Sequence, residues 1–283
     1  MLARRFGWTG LTLPAIGQGT WKIEGSREKE RQAIEALQAG IEMGATLIDT
    51  AEMYGNGRAE ELVAEAIRGV RSKIFLVSKV LPWNASYEGT LKACARSLKR
   101  LHTDYLDLYL LHWESNHPIG ETMRALEKLV RDGSIRFLGV SNFDVSRLKE
   151  AQAALTNERI ACDQVLYHLG DRGIERTVLP YCRGEEIAVM AYSPFGSGQF
   201  PPSRSRGGRI LGEIGARHKR SPRQVGLNFL LRRSEVFSIP KAGNTKHVHE
   251  NASASDFELS QEEMERIDRV FPAPGRDTPL GMI

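Results

Sequence analysis

Short apolar runs rich in β-branched and aromatic residues recur along the chain, at 46–49 (TLID), 73–80 (KIFLVSKV), 106–113 (LDLYLLHW), 135–142 (IRFLGVSN), 162–167 (CDQVLY), 187–194 (IAVMAYSP) and 236–242 (VFSIPKA), with a weaker one at 13–21 (LPAIGQGTW). Between them the apolar positions change to helical spacing. Ile34, Leu37 and Ile41 share one face, as do Leu62, Val63, Ala66, Ile67 and Val70, and then Leu91, Cys94, Leu98 and Leu101. A strand thus recurs roughly every 25 to 32 residues, the length of a βαβ unit. Eight such strands with intervening helices predict an α/β chain folded as a (β/α)8 TIM barrel, one domain over residues 1–283. A doubly wound sheet is the rival. It needs a glycine-rich turn after its first strand, and the nearest match, Gly55–Glu60, has Glu60 where the third glycine belongs.

Two segments interrupt the alternation. After the seventh strand, 197–209 (SGQFPPSRSRGGR) is rich in Gly, Pro, Ser and Arg and reads as a long mobile loop. A further helix follows, with Ser221 as N-cap and Pro222 in its first turn. Near the end, Ser260 and Glu263 form a capping box before a face of Met264, Ile267 and Phe271, and the tail 272–283 reads as irregular.

Composition narrows the class. The 283 residues are 41% hydrophobic and 26% charged, ample for a large core. A net charge of +4 without a long basic run gives no nucleic-acid signature. Cys94, Cys162 and Cys182 have neither disulfide nor zinc spacing, which favours a reducing compartment. With no apolar leader and no run of membrane-spanning length, the expectation is a soluble, cytoplasmic protein with no membrane partner.

In such a barrel the C-terminal strand ends form the active rim. Four residues gather there: Asp49, Lys79 and His112 at strand ends, and Tyr54 in the loop after Asp49. Taken singly they have plain structural uses as cap, solvent-reaching lysine, core histidine and loop packing. Together they make chemical sense. A phenol with a reference pKa of about 10 is a poor acid near neutrality. An ammonium beside it stabilises the phenolate, so Lys79 is expected to lower the pKa of Tyr54, with Asp49 balancing Lys79. A histidine beside the hydroxyl can orient a carbonyl oxygen. The set suits protonation of an oxygen on which charge develops as hydride reaches carbon. It contains no nucleophile–base pair for hydrolysis.

LIDTAEMYGN (47–56), FLVSKV (75–80), DYLDLYLLHW (104–113), GVSNF (139–143), DQVLYH (163–168), AYSPFG (191–196) and IPKAGNTKHVHEN (239–251) closely resemble the aldo-keto reductase family, in order and over nearly the whole chain. The resemblance implies a (β/α)8 barrel with Asp49, Tyr54, Lys79 and His112 as catalytic tetrad and Tyr54 as general acid. It also implies a nicotinamide dinucleotide bound without a Rossmann motif. Ser141, Asn142 and Gln164 would contact its carboxamide, and Tyr192, followed by Ser193, would stack on its ring. Asn142 and Gln164 carry both donor and acceptor, as an amide partner requires.

The phosphate end departs from the family. Members that prefer NADPH usually have a Lys-Ser pair after Ile-Pro and an arginine six residues beyond that lysine. Here Ala242 follows Lys241 and His247 takes the arginine place. Imidazole offers less charge than guanidinium near neutral pH. Lys241 with Asn244, Thr245 and Lys246 could still hold a phosphate, Glu250 and Asn251 match positions near the adenine, and Arg204, Arg206 and Arg209 could fold over the pyrophosphate. NADPH is the expected cofactor, with NADH as the alternative. By the same resemblance Trp21, Trp83 and Trp113 line a compact mouth for small aldehydes and ketones. The pattern is most similar to bacterial members that reduce methylglyoxal, and a monomer with no metal is expected. Two rivals stay open: a metal-dependent hydrolase using His112, Glu114 and His117, with His247 and His249 as a second pair, and a cofactor-sensing subunit without catalysis.

Overall fold

The computed structural model describes residues 1–283. Eight strands run parallel: β3 (Gln18–Gly19), β4 (Leu47–Asp49), β5 (Phe75–Val80), β6 (Leu106–Leu111), β7 (Ile135–Ser141), β8 (Cys162–Leu166), β9 (Ala188–Tyr192) and β10 (Val236–Ser238). They pair in chain order, and parallel bridges from Ile16 to Ser238 and from Gly19 to Lys241 join last to first and close the barrel. The first strand of the barrel is shorter than its apolar run suggests, and the Gln18 side chain turns outward to donate to the carbonyls of Leu37 and Ala45. Gly19 lies at the closing seam, where a Cβ would meet the Ile239 carbonyl at 2.7 Å.

Ten helices cover the sheet: α1 (Arg27–Glu42), α2 (Arg58–Ala66), α3 (Tyr87–Leu101), α4 (Ile119–Arg131), α5 (Val145–Ala153), α6 (Val178–Gly184), α7 (Arg206–His218), α8 (Pro222–Leu230), α9 (Thr245–Ala252) and α10 (Gln261–Val270). Two cores result from the two faces of the strands. Ile48, Leu76, Tyr109, Leu111, Leu138, Val140, Val165 and Val189 point outward onto the helices. Leu47, Phe75, Val77, Leu108, Leu110, Cys162, Met190 and Phe237 fill the interior.

The two-residue period of a strand then determines what faces the C-terminal mouth. Asp49 follows Leu47, Lys79 follows Phe75 and Val77, and His112 follows Leu108 and Leu110. Gln164 follows Cys162, and Tyr192 follows Met190. Each polar residue continues an inward-facing series at the open end. No helix is long and apolar enough to cross a membrane.

Two features differ from the sequence reading, and a third, the irregular tail, is more firmly held than irregularity suggests. Residues 3–14 form an antiparallel hairpin, β1 (Ala3–Arg5) with β2 (Thr12–Pro14), whose Phe6 and Leu13 plug the N-terminal end of the barrel. The segment after β9 is shorter than 197–209, because 206–209 is the first turn of α7, capped by Ser205 accepting from the Gly208 amide. Its glycines serve close packing rather than mobility: a Cβ on Gly207 would lie 2.3 Å from the Phe271 ring and one on Gly208 2.0 Å from the Pro202 carbonyl. The tail beyond α10 lacks regular structure but is held, with Arg176 pairing to Asp277 at 3.0 Å and Gly281 packed against Asp171.

A buried ion network anchors the approach to that tail. Glu175 accepts from Tyr167 Oη at 2.7 Å, Arg172 Nε at 2.7 Å and Arg232 Nη2 at 2.8 Å, and Arg172 reaches on to Asp268 at 2.7 Å. Burial alone would raise the Glu175 pKa, but the Arg172 hydrogen bond and the Arg232 charge bring it down to about 2. A carboxyl held lower in the folded than in the unfolded state contributes stability above its unfolded pKa of about 4.3, lost as pH falls toward the folded value. Melting midpoints should therefore drop between about pH 4.5 and 2. Glu175→Gln should remove part of that dependence and cost about 3 kcal/mol at neutral pH, because it leaves the largely buried Arg232 guanidinium without a carboxylate partner. Denaturation curves at several pH values check both.

Candidate active site

At the mouth, the Lys79 side chain is fully buried and commits its three protons. Its Nζ lies 2.8 Å from Asp49, 2.8 Å from the Thr50 carbonyl and 3.2 Å from Tyr54 Oη. Asp49 is fixed in turn: Gln164 Nε2 donates to its Oδ1 at 2.7 Å, and the Thr20 hydroxyl donates to its main-chain carbonyl at 2.9 Å. Tyr54 reaches the site on a short turn in which Gly55 (φ 56°), Asn56 (φ 53°) and Gly57 (φ 92°) are left-handed before α2 begins. His112 meets Tyr54 edge to face, ring centroids 5.8 Å apart, and Trp113 packs on His112 at 4.8 Å.

The electrostatics differ from the sequence reading at one point. Burial raises the Tyr54 pKa above 10.0; Lys79 opposes this, as a neighbouring ammonium should, but burial together with the Asp49 charge outweighs it. The ring therefore holds its proton at neutral pH. Burial alone would lower the Lys79 pKa, yet Asp49 and Tyr54 hold it up, so the ammonium persists. Burial, reinforced by Lys79, pushes His112 well below 6.5, so its imidazole is neutral.

Around this cluster lies a cavity of about 750 Å3 including its open mouth, walled by Trp21, Tyr54, His112, Trp113, Tyr192 and Ile239 among others. Ser141, Asn142, Gln164 and Ser193 also face it. Asn142 adopts a left-handed conformation (φ 62°), and its Nδ2 donates to the His112 carbonyl at 3.1 Å while its Oδ1 accepts from Tyr192 Oη at 2.8 Å. The amide thus ties three strand ends together.

Residues 15–271 match the Aldo/keto reductase family. Methylglyoxal reductase YeaE of Escherichia coli is 46% identical over 96% of both chains, and glyoxal reductase of Bacillus subtilis is 38% identical over 94% of both. A Klebsiella pneumoniae aldo/keto reductase solved in complex with NADP and acetate superposes with a TM-score of 0.94 at 43% identity, over 99% of each chain. The chain belongs to the aldo/keto reductase family.

Other sequence-predicted residues of this reductase lie further out. Lys241 borders the cavity, and Asn251 and Ala242 line a small adjoining pocket with Gln18 and Leu37. Asn244 caps α9 by accepting from the His247 amide at 2.9 Å, with its Nδ2 3.3 Å from His247 Nδ1, while Glu250 lies further along the same helix. Trp83 does not line the cavity: it is 64% exposed and stands edge-on to Trp113 at 5.9 Å. The short turn after β5 carries it outside the wall. Arg204, Arg206 and Arg209 are exposed, and Arg209 Nη1 donates to the Arg204 carbonyl at 2.8 Å. Glu114 pairs with Arg147 rather than with His117, and no group of three His, Cys, Asp or Glu side chains gathers to hold a metal ion.

Sequence reasoning missed several wall residues. Thr20 and Met53 are unremarkable loop positions. Met282 and Ile283 come from the irregular tail, where two apolar residues in a polar stretch were the available signal.

The buried pair yields a double-mutant test. Lys79→Met should lower the unfolding free energy by about 3 kcal/mol, because it strands the buried Asp49 carboxylate without a counter-ion. Adding Asp49→Leu should recover most of that loss, since two apolar side chains leave no unpaired charge. Chemical denaturation of both variants measures the difference.

Proposed function

We propose that this enzyme reduces small aldehydes and ketones of the methylglyoxal type with NADPH, that Tyr54 is the proton donor, and that Asp49, Lys79 and His112 support it. The observation that carries the reading is the Lys79 ammonium, sealed behind Tyr54 with one of its three protons on the phenol oxygen. The names of the relatives point the same way: a methylglyoxal reductase, a glyoxal reductase and a structure with NADP bound.

The residues present fit a nicotinamide dinucleotide. Lys241 forms no ion pair, and burial and then the nearby Lys29 charge lower its pKa, so an anion there would relieve a strained cation. Tyr192 presents a half-buried ring to the cavity beside Ser141, Asn142 and Gln164, a hydroxyl and two amides suited to a carboxamide. In this reading Tyr192, Ser193, Ser141, Asn142 and Gln164 hold the nicotinamide end, and Lys241, Asn244, His247, Glu250 and Asn251 the adenosine phosphate end. When bound, NADPH supplies the hydride that reaches the carbonyl carbon.

The protein's own part is handling the oxygen. His112, neutral and fixed against Trp113, hydrogen-bonds the carbonyl oxygen and aims it at Tyr54. Tyr54 keeps its proton until negative charge develops on that oxygen, then gives it up. The phenolate left behind forms beside the Lys79 ammonium, whose charge is already in position, so little reorganisation accompanies the transfer. Asp49 keeps Lys79 charged and aligned. Trp21, Trp113, Met282 and Ile283 give the cavity an apolar wall that favours short carbonyl compounds over hydrated polar ones. We assign this activity to a monomeric, single-domain cytoplasmic enzyme over residues 1–283, acting without nucleic acid or membrane.

Tyr54→Phe should leave NADPH binding intact and lower turnover of methylglyoxal by at least about 10²-fold. Near-normal turnover would remove Tyr54 from the role. Because the phenol pKa is raised above 10.0, kcat for reduction should show no Tyr54-dependent decline below about pH 9; a decline centred near neutrality would contradict the assignment. His247→Arg should tighten NADPH by about ten-fold, the scale of one added charge-assisted contact, and leave NADH nearly unchanged. Equal changes for both dinucleotides would place the 2′-phosphate elsewhere.

A further inference from the structure

Asp163 is a fully buried acid that the chemistry above does not use. It lies on β8 immediately before Gln164, paired in register with Val140 on one side and Val189 on the other. Its Oδ1 accepts from the Phe143 amide at 3.5 Å, and its Oδ2 has no hydrogen-bond partner. The sequence here is Asp-Gln, so an acid directly precedes the amide that holds Asp49.

Phe143 follows the left-handed residue Asn142, and the turn is held from β8 at two adjacent points. The Asn142 amide donates to the Gln164 carbonyl at 2.9 Å, and the Phe143 amide donates to Asp163. Asn142 in turn holds the His112 carbonyl and Tyr192 Oη. We propose that Asp163 is a positioning residue that fixes the Asn142 turn through the Phe143 amide, and so sets both the cofactor-facing amide and the strand end that carries His112. This rests on the cofactor site proposed above.

Burial requires that Asp163 do this as a neutral acid. The titratable groups whose charge reaches it are Asp144, Cys162, Cys182 and Tyr192, none of them cationic, and burial pushes its carboxyl well above the ordinary value. A carboxylate here would be sealed from solvent without a counter-ion. The neutral form keeps a carbonyl oxygen for the Phe143 amide, the same acceptor an asparagine would offer.

The test compares Asp163→Asn with Asp163→Leu in the full-length protein, by NADPH titration, steady-state reduction of methylglyoxal and infrared spectroscopy at neutral pH. Asn keeps the acceptor and the neutral state, so cofactor Kd and kcat should stay within about three-fold of the parent. Leu has similar volume and no acceptor. It should weaken NADPH and lower kcat by about ten-fold each, the worth of one buried hydrogen bond, while the KM for methylglyoxal changes little. The parent should show the carbonyl band of a protonated carboxyl, and Asp163→Asn should lose it. Equal losses for Asn and Leu, or a parent with no protonated-carboxyl band removed by Asp163→Asn, would overturn the proposal. Should Asp163→Leu fail to fold, the Asn variant and the infrared band still decide it. Failure of the parent itself to bind NADPH would instead overturn the cofactor reading.

Discussion

The arrangement depends on one buried ammonium. Lys79 is out of contact with water and gives its three protons to a carboxylate, a main-chain carbonyl and a phenol. An isolated charge in such a place would be very unfavourable, and removing any one partner would leave a buried donor unsatisfied. The requirement runs outward from there. Burial raises the Asp49 pKa, the Lys79 ammonium and the Gln164 amide oppose that rise, and Thr20 holds the main-chain carbonyl of the same residue. Tyr54 must come within reach, so the chain after β4 takes a turn through three successive left-handed residues. The site is therefore also a constraint on the fold at its C-terminal end.

Most of the barrel was legible because strand periodicity carries position as well as structure type. Once Leu47, Val77 and Leu110 point inward, Asp49, Lys79 and His112 must point inward too, two residues on, at the mouth. Features without periodicity were less legible. The β1–β2 hairpin consists of two three-residue strands, too short for alternation to register. Gly207 and Gly208 read as flexibility, yet they exist to let α7 pack against Phe271 and the Pro202 carbonyl. Glycine marks both mobility and close approach, and sequence alone does not separate the two.

The direction of the Tyr54 pKa is a further case in which burial decides. Pairing with Lys79 was readable from the sequence, and it pulls the phenol down as a cation should. The depth of the hydroxyl was not readable, and burial with the Asp49 charge outweighs the pull. In the proposed role of proton donor, Tyr54 would draw on both effects, supplied by different parts of the site. Trp83 shows the opposite limit. The family resemblance implied a place on the cavity wall, but the short turn after β5 carries it away from the cavity toward solvent.

The tryptophans make the molecule its own optical probe. Of the four, Trp8 lies at the far end of the barrel, donating to the Ile160 carbonyl, whereas Trp21 and Trp113 form the cavity wall and Trp83 packs against Trp113. Trp113 also touches the His112 ring. Indole emission is sensitive to contacts of this kind and overlaps the absorbance of a reduced nicotinamide. Two of the four indoles therefore wall the cavity and a third touches one of them, so changes in intrinsic emission report events at the mouth as well as unfolding of the chain.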